Sequence, residues 1–349
     1  MNMNFTFIEA VIEDFYVHKV GNKIADEQYF ISKKGVTLDD NLTTLLSHYF
    51  LSSFKSEELY RFYHDIELPL NEVYSCIGKV FENPKLLHEQ SINLAKHLYN
   101  QSVHPKIKGG EFYVVYFKDC VLNGEVLNAI GLFKSENKDT FIEVEQVADS
   151  FDIESRQGIN INKLDKGCLI FNTKKENGYI ISIVDNTNKG NEAQYWKDYF
   201  LNVLVLNNDF YQTSQFLGIT KQFVTKKISE DFEVTKADQI DLLNRSVEYF
   251  KTNSSFEKER FEKEVFQENS IIDSFRNFNE SYKRDNELEL SDNFEISTHA
   301  VKKQARVFKS VLKLDKNFHI YIHGDKELIE QGVEKDGRKY YKIYYQDES

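Results

Sequence analysis

Over the first 190 residues the apolar positions recur mostly at every second place, or run together in short blocks closed by turn residues. "FTFIEAVIEDFYVHKVG" alternates loosely and ends at Gly21, and "EQYFISKKG" predicts a second strand closed by Gly35. The period changes in "TLDDNLTTLLSHYFLSSF", where Leu42, Leu45, Leu46, Tyr49 and Phe50 recur at helical spacing behind a cap at Asp39 or Asp40. "PKLLHEQSINLAKHLYNQ" predicts a second helix that starts at Pro84 and runs toward Tyr99. From Gly109 strand patterns return in "EFYVVYFKD", "EVLNAIGLFKS", "TFIEVEQVA", "KGCLIFNTKK" and "GYIISIVDN", with "NGE", "SENKD" and "KKENG" as turn material between them. This is the pattern of an antiparallel meander preceded by two helices.

Beyond residue 190 the helical period dominates, beginning with "NEAQYWKDYFLNVLVL". "TKADQIDLLNRSVEYFK" opens with a capping box, Thr235 and Asp238, and repeats apolar residues at Ile240, Leu243, Val247 and Phe250. Ser254 and Glu257 suggest another box ahead of "KERFEKEVF". Strand patterns reappear only at "NFHIYIHG" and "RKYYKIYY". The expected fold class is therefore α+β. Residues 1–190 form a mostly antiparallel sheet with helices, and residues 191–349 form a mostly helical domain ending in a small β-hairpin. Two or three domains suit a chain of 349 residues.

Charge sharpens this picture at one place. The chain carries 56 Asp and Glu against 44 Lys and Arg, a net −12, which argues against a protein coated in positive charge. Yet between Ala300 and Gly324 stand Lys302, Lys303, Arg306, Lys309, Lys313 and Lys316, with Asp315 as the sole acid. On a helix spanning residues 300–313, at 100° per residue, Lys302, Arg306, Lys309 and Lys313 would fall within about 60° of one another. Val301, Ala305, Phe308 and Leu312 would form an apolar edge beside them. Solvated helices normally mix signs for i, i+4 support, whereas an unmixed row of cations matches a phosphate backbone, where binding releases counterions. Lys221, Lys226 and Lys227 in "TKQFVTKKI" form a smaller basic cluster.

Other chemistry is sparse. Cys76, Cys120 and Cys168 are odd in number and lack metal-ligand spacing, so they read as reduced thiols of a cytoplasmic protein. Glu9, Glu13 and Asp14 near the start do not suit a signal peptide, and no uninterrupted apolar run is long enough to span a membrane. There is no P-loop, no dinucleotide-binding glycine motif and no G-x-S-x-G elbow. His319 and His323 on one strand would stand roughly 13 Å apart, too far to share a zinc ion. A nuclease-like constellation of Asp119 with Glu136 and Lys138 fits Mg²⁺ chemistry in spacing, but "SENKD" reads as a turn. No catalytic residue, metal or cofactor is expected.

The order of elements resembles the bacterial nucleoid-associated protein family of the NdpA type over nearly the whole chain. The resemblance rests on "YFISKKGVTLDDNLTTLLSHYF", then "IKGGEFYVVYF", "DIESRQGININKLDKGCLIF" with "YWKDYFLN", and "KKQARVFKS" followed by "FHIYI". It implies a soluble, cytoplasmic, nucleoid-located protein that binds double-stranded DNA and has no known catalytic activity. Other nucleoid proteins are further expected partners, a membrane is not, and oligomer formation is left open. No family residues carry over, so the DNA-binding candidates rest on the basic residues alone: Lys302, Lys303, Arg306, Lys309 and Lys313, with Lys221, Lys226 and Lys227. The rivals are a Mg²⁺-dependent nuclease and an adaptor that uses its acidic first half, which holds 22 acids against 14 bases in residues 1–150.

Overall fold

The computed structural model describes residues 5–54, 58–187 and 195–305 and, beyond them, 308, 311–315, 317–321 and 328–347. The chain divides into two compact units between Leu206 and Asn207.

The first unit runs β1 (Phe5–Thr6), β2 (Val11–Val20), α1 (Asp40–Leu51), β3 (Leu59–Phe62), α2 (Glu72–Glu82), α3 (Leu87–Gln101), β4 (Gly110–Leu122), β5 (Glu125–Ser135), β6 (Asp139–Val147), β7 (Ser150–Gly158), β8 (Lys166–Phe171), β9 (Ile180–Asp185) and β10 (Val203–Val205). Eight of these strands make one antiparallel sheet. β1 and β2 share the outer edge of β4, and β5, β8, β9, β3 and β10 follow in that order. β4 explains why "EFYVVYF" is a continuous apolar block. Phe112, Val114 and Tyr116 point into a core shared with α2 and α3, while Tyr113, Val115 and Phe117 point into a second core under α1. A strand dry on both faces has no polar face to alternate with. Gly110 opens it because a Cβ there would stand 1.7 Å from the Ser135 carbonyl oxygen on the neighbouring strand. Gly178 has φ +90° and lies against the Phe62 backbone, so the turn before β9 also needs glycine.

Several sequence expectations are corrected here. "EQYFISKKG" forms no strand; Phe30 alone makes a bridge, to Lys19. A third helix, α2, precedes the meander, capped by the Asn71 side chain, which accepts from the Tyr74 N–H. "TFIEVEQVA" leaves the sheet and pairs instead with residues 150–158 as a separate two-stranded hairpin. The first unit also runs on past residue 190, to Leu206. Trp196, Phe200 and Leu201, in a turn of π-helix (Tyr195–Leu201), fill its core, and β10 bonds to β3.

The second unit contains α4 (Asp209–Gln222), α5 (Ile228–Asp231), α6 (Lys236–Thr252), β11 (Ser255–Glu257), α7 (Lys258–Val265), α8 (Asn269–Asp285), β12 (Asn293–Glu295), α9 (Thr298–Ala305), β13 (Val311–Leu314), β14 (Phe318–Tyr321), β15 (Ile329–Val333) and β16 (Lys339–Ile343). Its core is an aromatic cluster. The Phe216 ring centre lies 4.2 Å from that of Phe256, which stacks on Phe294 at 4.7 Å. The Thr235–Asp238 capping box forms at the start of α6. The Ser254 box does not, because residues 255–257 are drawn into β11 by pairing with β12. The chain ends in two small hairpins, β13–β14 and β15–β16.

His18 on β2 offers a test of the first unit's packing. Its Nδ1 accepts from the Ser32 N–H at 3.2 Å, which leaves Nε2–H to donate to Ser91 Oγ at 2.9 Å. Burial, and then the nearby His88, push its pKa down to about 4. The unfolded chain binds that proton near pH 6.5, so between pH 6.5 and 4 the unfolded state holds more protons and stability falls as pH falls. Urea unfolding across that window should show this loss, and His18→Gln should flatten it.

Candidate nucleic-acid interface

The basic row expected on one long helix is broken. α9 stops at Ala305, and the Phe308 N–H bonds back to the Gln304 and Ala305 carbonyls in a closing turn. The chain then enters β13, so Lys313 lies on a strand opposite His319 rather than one turn beyond Lys309 on a helix. The reason is local. "VLKLDKNFHIYI" alternates at strand period around a tight turn, in which Asp315 has φ 51°. The apolar edge is nevertheless buried, with Val301 and Phe308 in the aromatic core and Leu312 against Ile240. Arg306, Lys309, Lys316 and His323 lie outside the described residues, as does the Lys313 side chain.

What remains is built around α4. α9 packs on α4, and Lys303, exposed on α9, holds its Nζ 5.4 Å from the centre of the Phe210 ring, at the start of α4. Lys302 is exposed beside it, with no ion-pair partner among the described residues. Lys221 stands eleven residues after Phe210, close to three helical turns. The two therefore share one side of α4 within about 20° and lie roughly 16 Å apart along its axis. Lys226 is exposed just beyond, in a π-helical turn (Phe223–Lys227). Lys227 is the weakest candidate of the group, because Glu230 and Asp231 already pair with it at 3.1 and 2.8 Å. The acids gather elsewhere: Glu257, Glu259, Glu262 and Asp292, against Lys258 and Arg276, line a cavity of about 440 Å³ that would repel phosphate. The result is two cationic groups at the two ends of α4.

Comparison with protein-family models matches residues 17–348 to the family described as nucleoid-associated protein YejK. The chain belongs to that family. No curated protein matches it. Membership supports a nucleoid-associated role and a place in the nucleoid, in agreement with the NdpA-type resemblance of the sequence. No helix among the described residues is long and apolar enough to cross a membrane.

In this family member the nuclease-like constellation does not assemble. Asp119 lies at a bulge eight residues along β4 from Glu111, and Glu111 faces Ser135, the neighbour of Glu136. At 3.3 Å per residue, Asp119 and Glu136 stand roughly 25 Å apart, whereas Mg²⁺ ligands lie about 2.1 Å from the ion. Lys138 pairs with Glu111 at 2.8 Å. Among the described residues no group of three His, Cys, Asp or Glu side chains could hold a metal ion.

Glu136 has a different partner set, which spacing alone did not suggest. Lys134 on β5 and Lys166 on β8 face each other directly in the ladder, and both are fully buried. Lys134 Nζ donates to the Lys108 carbonyl at 2.7 Å, to Glu136 Oε1 at 3.0 Å and to the Tyr195 hydroxyl at 3.2 Å. The Tyr195 hydroxyl in turn donates to Glu136. Lys166 Nζ donates to both Asp185 oxygens at 2.9 Å and to Thr187 Oγ1 at 2.6 Å. Each ammonium has three N–H donors, and here every one has a partner. The group has no donor left for a ligand and reads as structural. Burial pushes the Lys134 ammonium down, and the Glu136 carboxylate opposes this. One sequence signal was available: Lys134 ends the apolar block "AIGLFK", where a strand dry on both faces must bury it.

Removing one partner of a buried ion pair leaves the other charge uncompensated, at about 3–5 kcal/mol. Glu136→Ala should therefore lower stability by that amount in urea unfolding. Lys138→Ala, which removes an exposed pair, should lower it by less than about 1 kcal/mol.

Proposed function

We propose that this chain binds double-stranded DNA through the phosphate backbone, with little sequence preference and without catalysing a reaction. The observation that carries the proposal is the pair of cationic groups at the two ends of α4. Lys302 and Lys303 mark one end and Lys221 and Lys226 the other, in a protein that is otherwise acidic. A separation of roughly 16 Å spans several successive phosphates of a duplex, which carries a charge every 1.7 Å or so of axis. Contacts of this kind position a protein on DNA and carry no sequence information. Membership of a nucleoid-associated family supports the same reading.

If each of the four lysines neutralises one phosphate, they contribute about −3.6 to the slope of log K against log salt. Affinity then drops on the order of 10²-fold between 50 and 200 mM salt. Changing Lys221, Lys226, Lys302 and Lys303 together to Gln retains helix propensity and removes the charge. In a mobility-shift titration the variant should bind every duplex more weakly by a similar factor and lose most of that slope, with an unchanged circular dichroism melt. An unchanged slope would place DNA on another surface. Mg²⁺-dependent cleavage of the duplex on the same gel would replace the non-enzymatic reading with the nuclease.

A further inference from the structure

The hairpin β6–β7 stands outside the eight-stranded sheet, and its two faces differ in kind. Cross-strand partners share a face. One face therefore carries Ile142 opposite Ser155, Val144 opposite Ile153, and Gln146 opposite Phe151. It contains no charged residue, and its apolar members are open to solvent: Ile142 is 68% exposed, Val144 53%, Phe151 67% and Ile153 66%. The other face carries Glu143 opposite Glu154 and Glu145 opposite Asp152 between the exposed Phe141 and Val147, and Arg156 pairs with Glu143 at 2.9 Å and Glu154 at 3.3 Å. An isolated two-stranded ribbon is at best marginal in water, and four large apolar side chains side by side on it form a patch that soluble proteins usually cover.

We propose that the cover is the same face of a second copy of this chain, the two ribbons packing face to face about a two-fold axis near the Val144–Ile153 pair. Charge selects this occupant. The chain bears a net −12, so two copies repel over most of their surface. This face has no charge to oppose its own image, and stacking leaves both acidic faces on the outside, toward water. The same acids disfavour nucleic acid and anionic lipid as occupants. A two-fold contact requires a self-complementary patch, and a flat apolar ribbon face meets that condition at the usual sheet spacing of about 10 Å. Nine residues by two strands cover roughly 30 by 10 Å, or some 300 Å² per copy, well below the 800 Å² or so per partner of a standard stable interface. An interface of that size belongs with weak, transient associations. It stands independently of the DNA reading. On DNA, neighbouring copies would gain effective concentration and associate more readily.

Sedimentation velocity of the full chain without DNA, from roughly 5 to 300 µM, where a weak association populates both species, should show a shift from monomer to dimer. Val144→Asp with Ile153→Asp should reduce the dimer fraction at least tenfold at the highest concentration, with an unchanged melting midpoint, because these side chains lie outside both cores of the first unit. In a parallel assay a short bismaleimide should join two copies of Val144→Cys and not of Glu143→Cys. The three native cysteines are buried and give little background. A wild-type chain that stays monomeric at the highest concentration would overturn the proposal. So would a dimer that survives the double substitution, or Glu143→Cys cross-linking as well as Val144→Cys.

Discussion

Two lysines are held opposite one another in the dry interior of the main sheet, and much of the first unit is arranged around keeping them there. Like charges across a strand pair repel, and an unpaired buried ammonium is strongly disfavoured. Lys134 and Lys166 are tolerated because Glu136 and Asp185 neutralise them and Tyr195 closes the ring of hydrogen bonds. The cluster draws on β5 and β8, the segment after β5, β9 and the π-helical turn. A single charge-neutral cluster thus ties together pieces of chain up to 61 residues apart. It accounts for the first unit continuing past β9 to Leu206. It also bears on the hairpin arm: Asp165, next to Lys166, accepts from the backbone N–H groups of Glu136 and Asn137, which fixes the chain just before β6 begins.

The two units answer the problem of burying an aromatic-rich chain in different ways. In the first, strands dry on both faces let a single sheet serve two cores, one under α1 and one under α2 and α3. In the second, short helices converge on stacked phenylalanines, and the two-stranded β11–β12 pair holds Phe256 against Phe294. Neither core uses the basic residues at the ends of α4. Lys226 and Lys302 stay exposed to solvent, while Glu257, Glu259, Glu262 and Asp292 line a cavity of their own.

The sequence was legible where one period ran uninterrupted. The apolar blocks of β4, β5, β8 and β9 and the capped helix α6 appear as strand and helix patterns in the chain itself. It misled where two periods overlap. From Ala300 to Leu314 a helical spacing of lysines coexists with the strand alternation of "VLKL", and hairpin pairing with β14 prevails from Val311. "TFIEVEQVA" has a strand pattern but not a strand's usual neighbours, because nothing in its period tells a sheet member from a free arm. The lysine cluster was hidden for another reason. Lys134, Glu136, Lys166, Asp185 and Tyr195 are ordinary surface residues by composition, and only the register of β5 against β8 brings them into one buried place. The family, by contrast, was legible in the order of elements along nearly the whole chain.

The claim that phosphates meet the second unit at the ends of α4 is tested most directly by amide hydrogen exchange of the full chain with and without a random-sequence duplex. Duplex should slow exchange across residues 221–227 and in α9 (Thr298–Ala305), and leave β4 and β5 unchanged. Protection confined to the first unit, with none along α4 or α9, would contradict the account.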